Sequence, residues 1–229
     1  MSRMPAARDS ASRRPPAAPR YTVVAGSPAH VPGIVACHAA AFPDQFMTLL
    51  GREFLAGYYR FYLSAPGAIN CVAVGPDGTV LGFVSGGAPE LRERFTREQV
   101  PRHAVPILLR AARDPRVRAR LAVHARAALL GLGRRLGLKV PTPDEPPMDP
   151  PGTWSSLLSI AVRPDAGGQG IGSALMEAFR RASAQRGFRW MHLSVHNDNP
   201  AAIGLYRSSG WQVLLVTPGG TYFRRAVGA

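Results

Sequence analysis

From Tyr21 onward the apolar positions recur with regular spacing, and that spacing predicts the elements. Tyr21–Ala25 is a short β-branched run that reads as a strand, and a proline-containing turn leads from it into an apolar helix over Val31–Ala41. Leu49, Leu50, Phe54, Leu55, Tyr58, Tyr59 and Tyr62 fall on one face of a 3.6-residue repeat, predicting a second helix from Phe46 to Leu63. Asn70–Val74 and Val80–Ser85 read as strands, and the Pro-Asp-Gly turn at 76–78 joins them as a hairpin. Further on, Ser155–Val162 and Trp190–His196 read as strands, Gly172–Arg186 and Ala201–Ser209 as helices. Trp211–Val216 and Thr221–Ala226 close the chain as a two-strand unit. Strands and helices mixed around one sheet make an α/β or α+β domain, and no internal repeat is visible.

Residues 88–150 interrupt this order. Glu90–Gln99 and Ala104–Leu138 are helical by periodicity and rich in arginine, and a proline-rich acidic stretch, PTPDEPPMDPP, follows at 141–151. They are expected to form a helical insertion on one core. Residues 1–20 hold mainly Arg, Ala, Pro and Ser, too little apolar surface to offset the entropy of ordering, so a disordered tail is expected. Its prolines work against the amphipathic helix of an organelle transit peptide. The domain therefore runs over 21–229.

Charge adds a constraint. The net charge is +14, and Lys139 is the only lysine, so the positive charge is almost wholly arginine. Such a chain draws anions: phosphates, nucleic acid, acidic membranes or acidic substrates. The arginines beside Leu121, Val123, Leu129, Leu130, Leu132 and Leu136 make a basic amphipathic segment, a pattern that can lie on an anionic membrane. Phe95 is the only aromatic of the insertion's helices, so the aromatic–basic interleaving expected of a nucleic-acid binder is lacking. Cys37 and Cys71 lie in apolar stretches without metal-ligand spacing, as buried free thiols would. The six histidines show no ligand spacing, so no metal is expected. No apolar run reaches 18 residues and no h-region opens the chain, which together predict a cytoplasmic protein.

The chemistry concentrates in residues 156–182, SLLSIAVRPDAGGQGIGSALMEAFRRA. A strand ends at Val162, Pro164 stops it, and Gly167, Gly168, Gly170 and Gly172 precede a helix. Glycines let the backbone approach an anion, and the free N–H groups and positive dipole end of the helix favour a phosphate. A P-loop is excluded because no Gly-Lys-Ser/Thr follows. A dinucleotide fingerprint is excluded by the wrong glycine spacing, and because His192 and His196 stand where an acidic residue is needed.

A second stretch at the right distance decides between cofactors. Residues 196–211, HNDNPAAIGLYRSSGW, contain Asn-Pro-x-Ala-x-x-Leu-Tyr-x-x-x-Gly-Trp starting from Asn199. With the glycine loop, this resembles the GNAT superfamily of N-acetyltransferases, and the resemblance spans about residues 21–87 and 155–226. The loop departs at Gly167, where the family usually has Arg or Gln; one side-chain contact is lost, and Gln169 is placed to compensate.

The resemblance implies a central mixed, mostly antiparallel sheet with a splayed strand pair, flanked by helices. It implies acetyl-CoA as co-substrate. Backbone groups of Ile160, Ala161 and Val162 would hold the pantetheine and the acetyl carbonyl. The loop from Gly167 through Gly168, Gln169, Gly170, Ile171 and Gly172 to Ser173 would cradle the pyrophosphate. Asn199 would touch the pantetheine arm, and Tyr206 would protonate the leaving thiolate, a task suited to a phenol of pKa near ~10. His196 is the candidate base, with Asp44, Glu53 and Glu90 as others.

The run AAAFPDQFMTLLGREFLAGYYRFYL at 39–63 resembles a subgroup associated with bacterial polysaccharide and sugar loci. That implies a small-molecule amine acceptor, an amino sugar carried on a nucleotide or lipid. Protein or peptide N-acetylation is an alternative, as is an acyl-CoA-binding regulatory module without chemistry. Nucleic acid is not expected as a partner, peripheral membrane contact through the basic insertion is, and the oligomeric state, with a homodimer one option, is left open.

Overall fold

Asp77 shows how local chemistry shapes the sheet. Its carboxylate accepts the backbone N–H of Thr79 at 3.1 Å and the Thr79 hydroxyl at 2.6 Å, while Gly78 takes φ +81°. The turn therefore closes on itself and sets the register of the strands it joins. In the computed structural model, which describes residues 20–135, 149 and 152–228, these strands are β2 (Ala68–Val74) and β3 (Val80–Gly87). Each is longer than the sequence pattern predicts.

Seven strands make one sheet in the order β1-β2-β3-β4-β5-β7-β6. The others are β1 (Thr22–Ala25), β4 (Trp154–Val162), β5 (Trp190–Val195), β6 (Gln212–Thr217) and β7 (Gly220–Ala226). Every neighbouring pair is antiparallel except β4–β5, so the expected mixed, mostly antiparallel sheet is present.

Helices cover both faces. α7 (Ile171–Gln185) packs one face through Ile171, Leu175, Met176 and Phe179 against Ile69, Val84, Leu157 and Phe223. α1 (Val31–Ala41) and α3 (Arg52–Ser64) pack the other through Ile34, Val35, Leu55 and Tyr59 against Val72, Phe83 and Ala161. Burying side chains of this size contributes about 1.5–3 kcal/mol each.

Two predicted helices are divided. Gly51, at φ +101°, separates α2 (Phe46–Leu49) from α3 within the span predicted as one helix. Asp114 adopts an extended conformation ahead of Pro115 and separates α5 (Ala104–Arg113) from α6 (Pro115–Arg135), because a residue before proline is disfavoured in the helical region. These helices and α4 (Glu90–Gln99) share a small core with α2 and α3, built on Leu50, Phe54, Tyr62, Phe95, Ile107 and Val117. The expected tail over 1–20, apart from Arg20, and the helix extension from 136 to Leu138 lie outside the described residues, as does the 141–151 stretch apart from Asp149.

Asp149 ties that stretch to the sheet. Its carboxylate bonds His192 Nε2 at 2.7 Å and stands 3.6 Å from Arg224, whose guanidinium lies over the Trp190 ring.

Candidate functional site

β4 and β5 pair at three positions only, Trp154 with Trp190, Ser155 with Met191 and Ser156 with His192. β4 then runs on for six residues and β5 for three without meeting, which leaves a wedge roughly 20 Å long on the β4 side. The cause lies on the opposite edge of β4. Against β3, Ser85 faces Ser159 while Gly86 faces Leu157, so Leu158 is an extra residue, a β-bulge. Bulges bend the strand that carries them.

The register also decides which backbone groups line the wedge. Arg163 N–H donates to Leu81 O at 2.8 Å, so by antiparallel alternation Ala161 and Ser159 spend their backbone groups on β3. Ile160 and Val162 turn theirs to the open edge. Of the three residues expected there, Ala161 is thus the exception: its backbone faces β3 and its side chain is buried under α1.

The glycine loop sits at the end of this wedge. Pro164–Ala166 forms one 3₁₀ turn, Gly168 and Gly170 take φ of +74° and +77°, and Gly170 caps α7. No described acceptor takes the backbone N–H groups of Gly168, Gln169, Gly170, Ile171, Gly172 and Ser173. The first turn of α7 carries no acidic side chain, and nothing lies within 4 Å of where a Cβ on Gly168 would be. Six free donors at the positive end of a 15-residue helix, in an uncrowded loop, fit a pyrophosphate. Gly167 keeps its N–H turned back to Pro164 O at 3.4 Å and leaves the loop's entry without a side chain.

Tyr206 lies on α8 (Pro200–Ser208), 7% exposed and packed on Trp211 and Phe223. Trp211 Nε1 donates to Met176 Sδ on α7, which fixes the aromatic group against the helix that carries the loop. Burial pushes the Tyr206 phenol up to about 12. Asn199 caps α8, its Oδ1 accepting Ala202 N–H at 3.1 Å, and its Nδ2 makes no hydrogen bond to a described residue.

The comparisons with known proteins agree with this geometry. The family model described as Acetyltransferase (GNAT) family matches residues 140–211, the stretch that holds β4, the loop and α8. Over that stretch the chain is similar to the GNAT acetyltransferases. The [ribosomal protein bS18]-alanine N-acetyltransferase of Escherichia coli K12 is 42% identical over 57 residues, 25% of this chain and 38% of that relative's length. Among solved structures, SsHAT aligns over 91% of this chain and 99% of its own, with 21% identity and a TM-score of 0.59. PaiA N-acetyltransferase from Thermoplasma acidophilum, crystallised with coenzyme A, aligns over 90% and 98%, with 10% identity and a TM-score of 0.50. At such identities the two structures are likenesses of fold.

The base candidates are scattered. His196 lies exposed just beyond β5, on the loop to α8. Asp44 is exposed on the α1–α2 turn, 3.5 Å from Arg116 of α6. Glu53 and Glu90 are exposed on the first turns of α3 and α4. No described hydrogen bond or ion pair joins these carboxylates to β4, β5 or α8.

One polar cluster near β4 was not legible in the chain. His38 Nδ1 lies 2.6 Å from the Tyr59 hydroxyl, which donates to Ser159 Oγ at 3.5 Å, while His38 Nε2 is buried without a partner. The three residues come from α1, α3 and β4, too far apart in sequence for any periodic signal. Nearby, Cys37 stands 3.9 Å from Ala161 O, its thiol pushed up to about 12 by burial, and it forms no disulfide. Among the described residues no cluster of His, Cys, Asp and Glu is arranged to hold a metal, and no helix is long and apolar enough to cross a membrane.

His38 carries a testable consequence for stability. Burial lowers it to about 4 from an ordinary 6.5, so the unfolded chain takes up a proton between those values that the folded protein refuses. Its contribution is complete above the unfolded value and is lost as pH falls toward the folded one. Between about pH 7 and about pH 5 that is about 2 kcal/mol. His192, also lowered by burial against the pull of Asp149, adds to the same loss. Urea unfolding at the two pH values should show it, and His38→Phe should flatten the slope. An unchanged slope in that variant would assign the loss elsewhere.

Proposed function

We propose that this protein is an acetyl-CoA-dependent N-acetyltransferase that acts on a primary amine of a small molecule, an amino sugar linked to a nucleotide or lipid. The single observation that carries the reading is an open β4 edge running into six free N–H donors at the start of α7. Bound there, acetyl-CoA supplies an acetyl group activated as a thioester. The helices over 90–135 form an insertion on one acyltransferase domain.

Gly168 to Ser173 hold the pyrophosphate through backbone donors and the α7 dipole. Backbone groups of Ile160 and Val162 hold the extended arm as a further strand would be held, and the free Nδ2 of Asn199 adds a donor. Tyr206 keeps its proton across the working pH range and offers it to the departing sulfur. The burial that raises the phenol also raises the proton affinity of a thiolate beside it, so the two stay matched. His196, exposed past β5, takes the proton of the attacking amine directly or through water. Catalysis then rests on proximity and on a polarised carbonyl.

A second acceptor reading has its own support. The stretch shared with the bS18-alanine N-acetyltransferase favours a peptide N-terminus.

Acetyl-CoA should raise the unfolding temperature of the purified chain where ATP and NAD do not. At a hundredfold excess over Kd the gain is about 2.7 kcal/mol. An equal shift with every nucleotide would sink the cofactor assignment. Thiol release measured with amino sugars, nucleotide-linked amino sugars and peptides then separates the acceptors. Turnover with peptides alone would replace the sugar reading, and binding without any turnover would leave a regulatory module.

A further inference from the structure

α5 exposes an apolar stripe. Val105, Leu108 and Leu109 are 66%, 65% and 50% exposed, and with Ala112 they follow the i, i+3, i+4, i+7 spacing of one helical face. The opposite face, Ile107 and Ala111, is buried in the insertion's own core. Large aliphatic groups in this number on one face are uncommon at a solvated surface. On α6, Val123 and Leu129 are exposed as well.

Charge around the stripe is predominantly positive, with Asp44 and Asp114 both beside Arg116. Between Val100 and Arg126 stand seven arginines against a single carboxylate, Asp114, which is engaged with Arg116 at 3.1 Å. Arg110 and Arg113, within one helical turn of Leu109, line a cavity of about 500 Å³ at the α5–α6 junction with Thr48, Leu49, Arg116 and Asp114, the last two paired with each other. Arg110 is held there by donating to Leu49 O at 3.0 Å.

We propose that α5 and α6 dock on an anionic lipid membrane. Val105, Leu108 and Leu109 enter the acyl boundary while Arg110 and Arg113 hold headgroup phosphates in the cavity. An apolar stripe flanked by arginine is the arrangement an interfacial helix needs. A second copy of the chain would set the same arginines against one another. A nucleic acid would leave the aliphatic stripe unused, and no Phe, Tyr or Trp lies between Val100 and Arg126 to stack on bases. The docked surface belongs to the insertion, apart from the β4 wedge and the glycine loop.

The test is sedimentation of the full chain, without acetyl-CoA, on vesicles of phosphatidylcholine alone or with about one quarter phosphatidylglycerol. Expected is binding to the anionic vesicles only, weakened by high salt. Leu108→Ser with Leu109→Ser should lower the partition at least about tenfold with the unfolding temperature unchanged. Arg113→Ala should lower it about fivefold. Equal partition to both vesicles, or none to either, would overturn the proposal. So would full binding by the double serine variant with competition by RNA, which marks a polyanion surface instead. Because binding is read without turnover, the outcome stands apart from the catalytic reading.

Discussion

Tyr206→Phe is expected to lower kcat by about a hundredfold or more while KM for acetyl-CoA stays within about twofold. The phenol makes no hydrogen bond to a described residue, whereas its ring packs on Trp211 and Phe223. Phenylalanine keeps the ring and removes only the proton, so the unfolding temperature should hold. Rate and stability therefore separate the two roles of the residue. A variant with normal kcat would make Tyr206 a packing residue and return the proton to water. With the phenol pushed up to about 12, any alkaline decline in rate near pH 9 must belong to another group, and that limb should persist in the variant.

The second large effect concerns stability. Gly86→Ala is expected to cost about 3 kcal/mol or more, because the added Cβ would lie 2.0 Å from Ser156 O and 3.0 Å from the Phe179 ring. The ring could shift, but the carbonyl is backbone in the β3–β4 pair and cannot turn away without opening the ladder beside the Leu158 bulge. Urea unfolding measures the cost directly. Gly204→Ala, in the interior of α8 with open space around it, should instead gain about 0.5–1 kcal/mol. A Gly86→Ala protein as stable as the parent would mean that β3 and β4 do not approach this closely.

The periodic segments and the glycine loop were readable because their signals are local. Gly170 before an apolar helix, and Pro-Asp-Gly between alternating runs, each act within a few residues. The divisions at Gly51 and Asp114 were missed where a broad apolar repeat outweighed a single backbone constraint, although Pro115 gave a usable warning. The Leu158 bulge has no composition signal, since an extra residue shows only against its partner strand. Hence the commitment of Ala161 to β3 could not be foreseen. The His38–Tyr59–Ser159 cluster and the Asp149 tie depend on tertiary proximity between residues 21 to 100 apart, which periodicity cannot register.

The open edge of β4 has a consequence for how this protein can vary. The groups that Ile160 and Val162 turn to the wedge are main-chain N–H and C=O, identical for nearly every amino acid, while their side chains answer to the packing under α7. Substitution at these two positions is therefore filtered by volume and strand propensity rather than by chemistry. Proline, which alone lacks the donor, is the replacement a saturation library should never recover there.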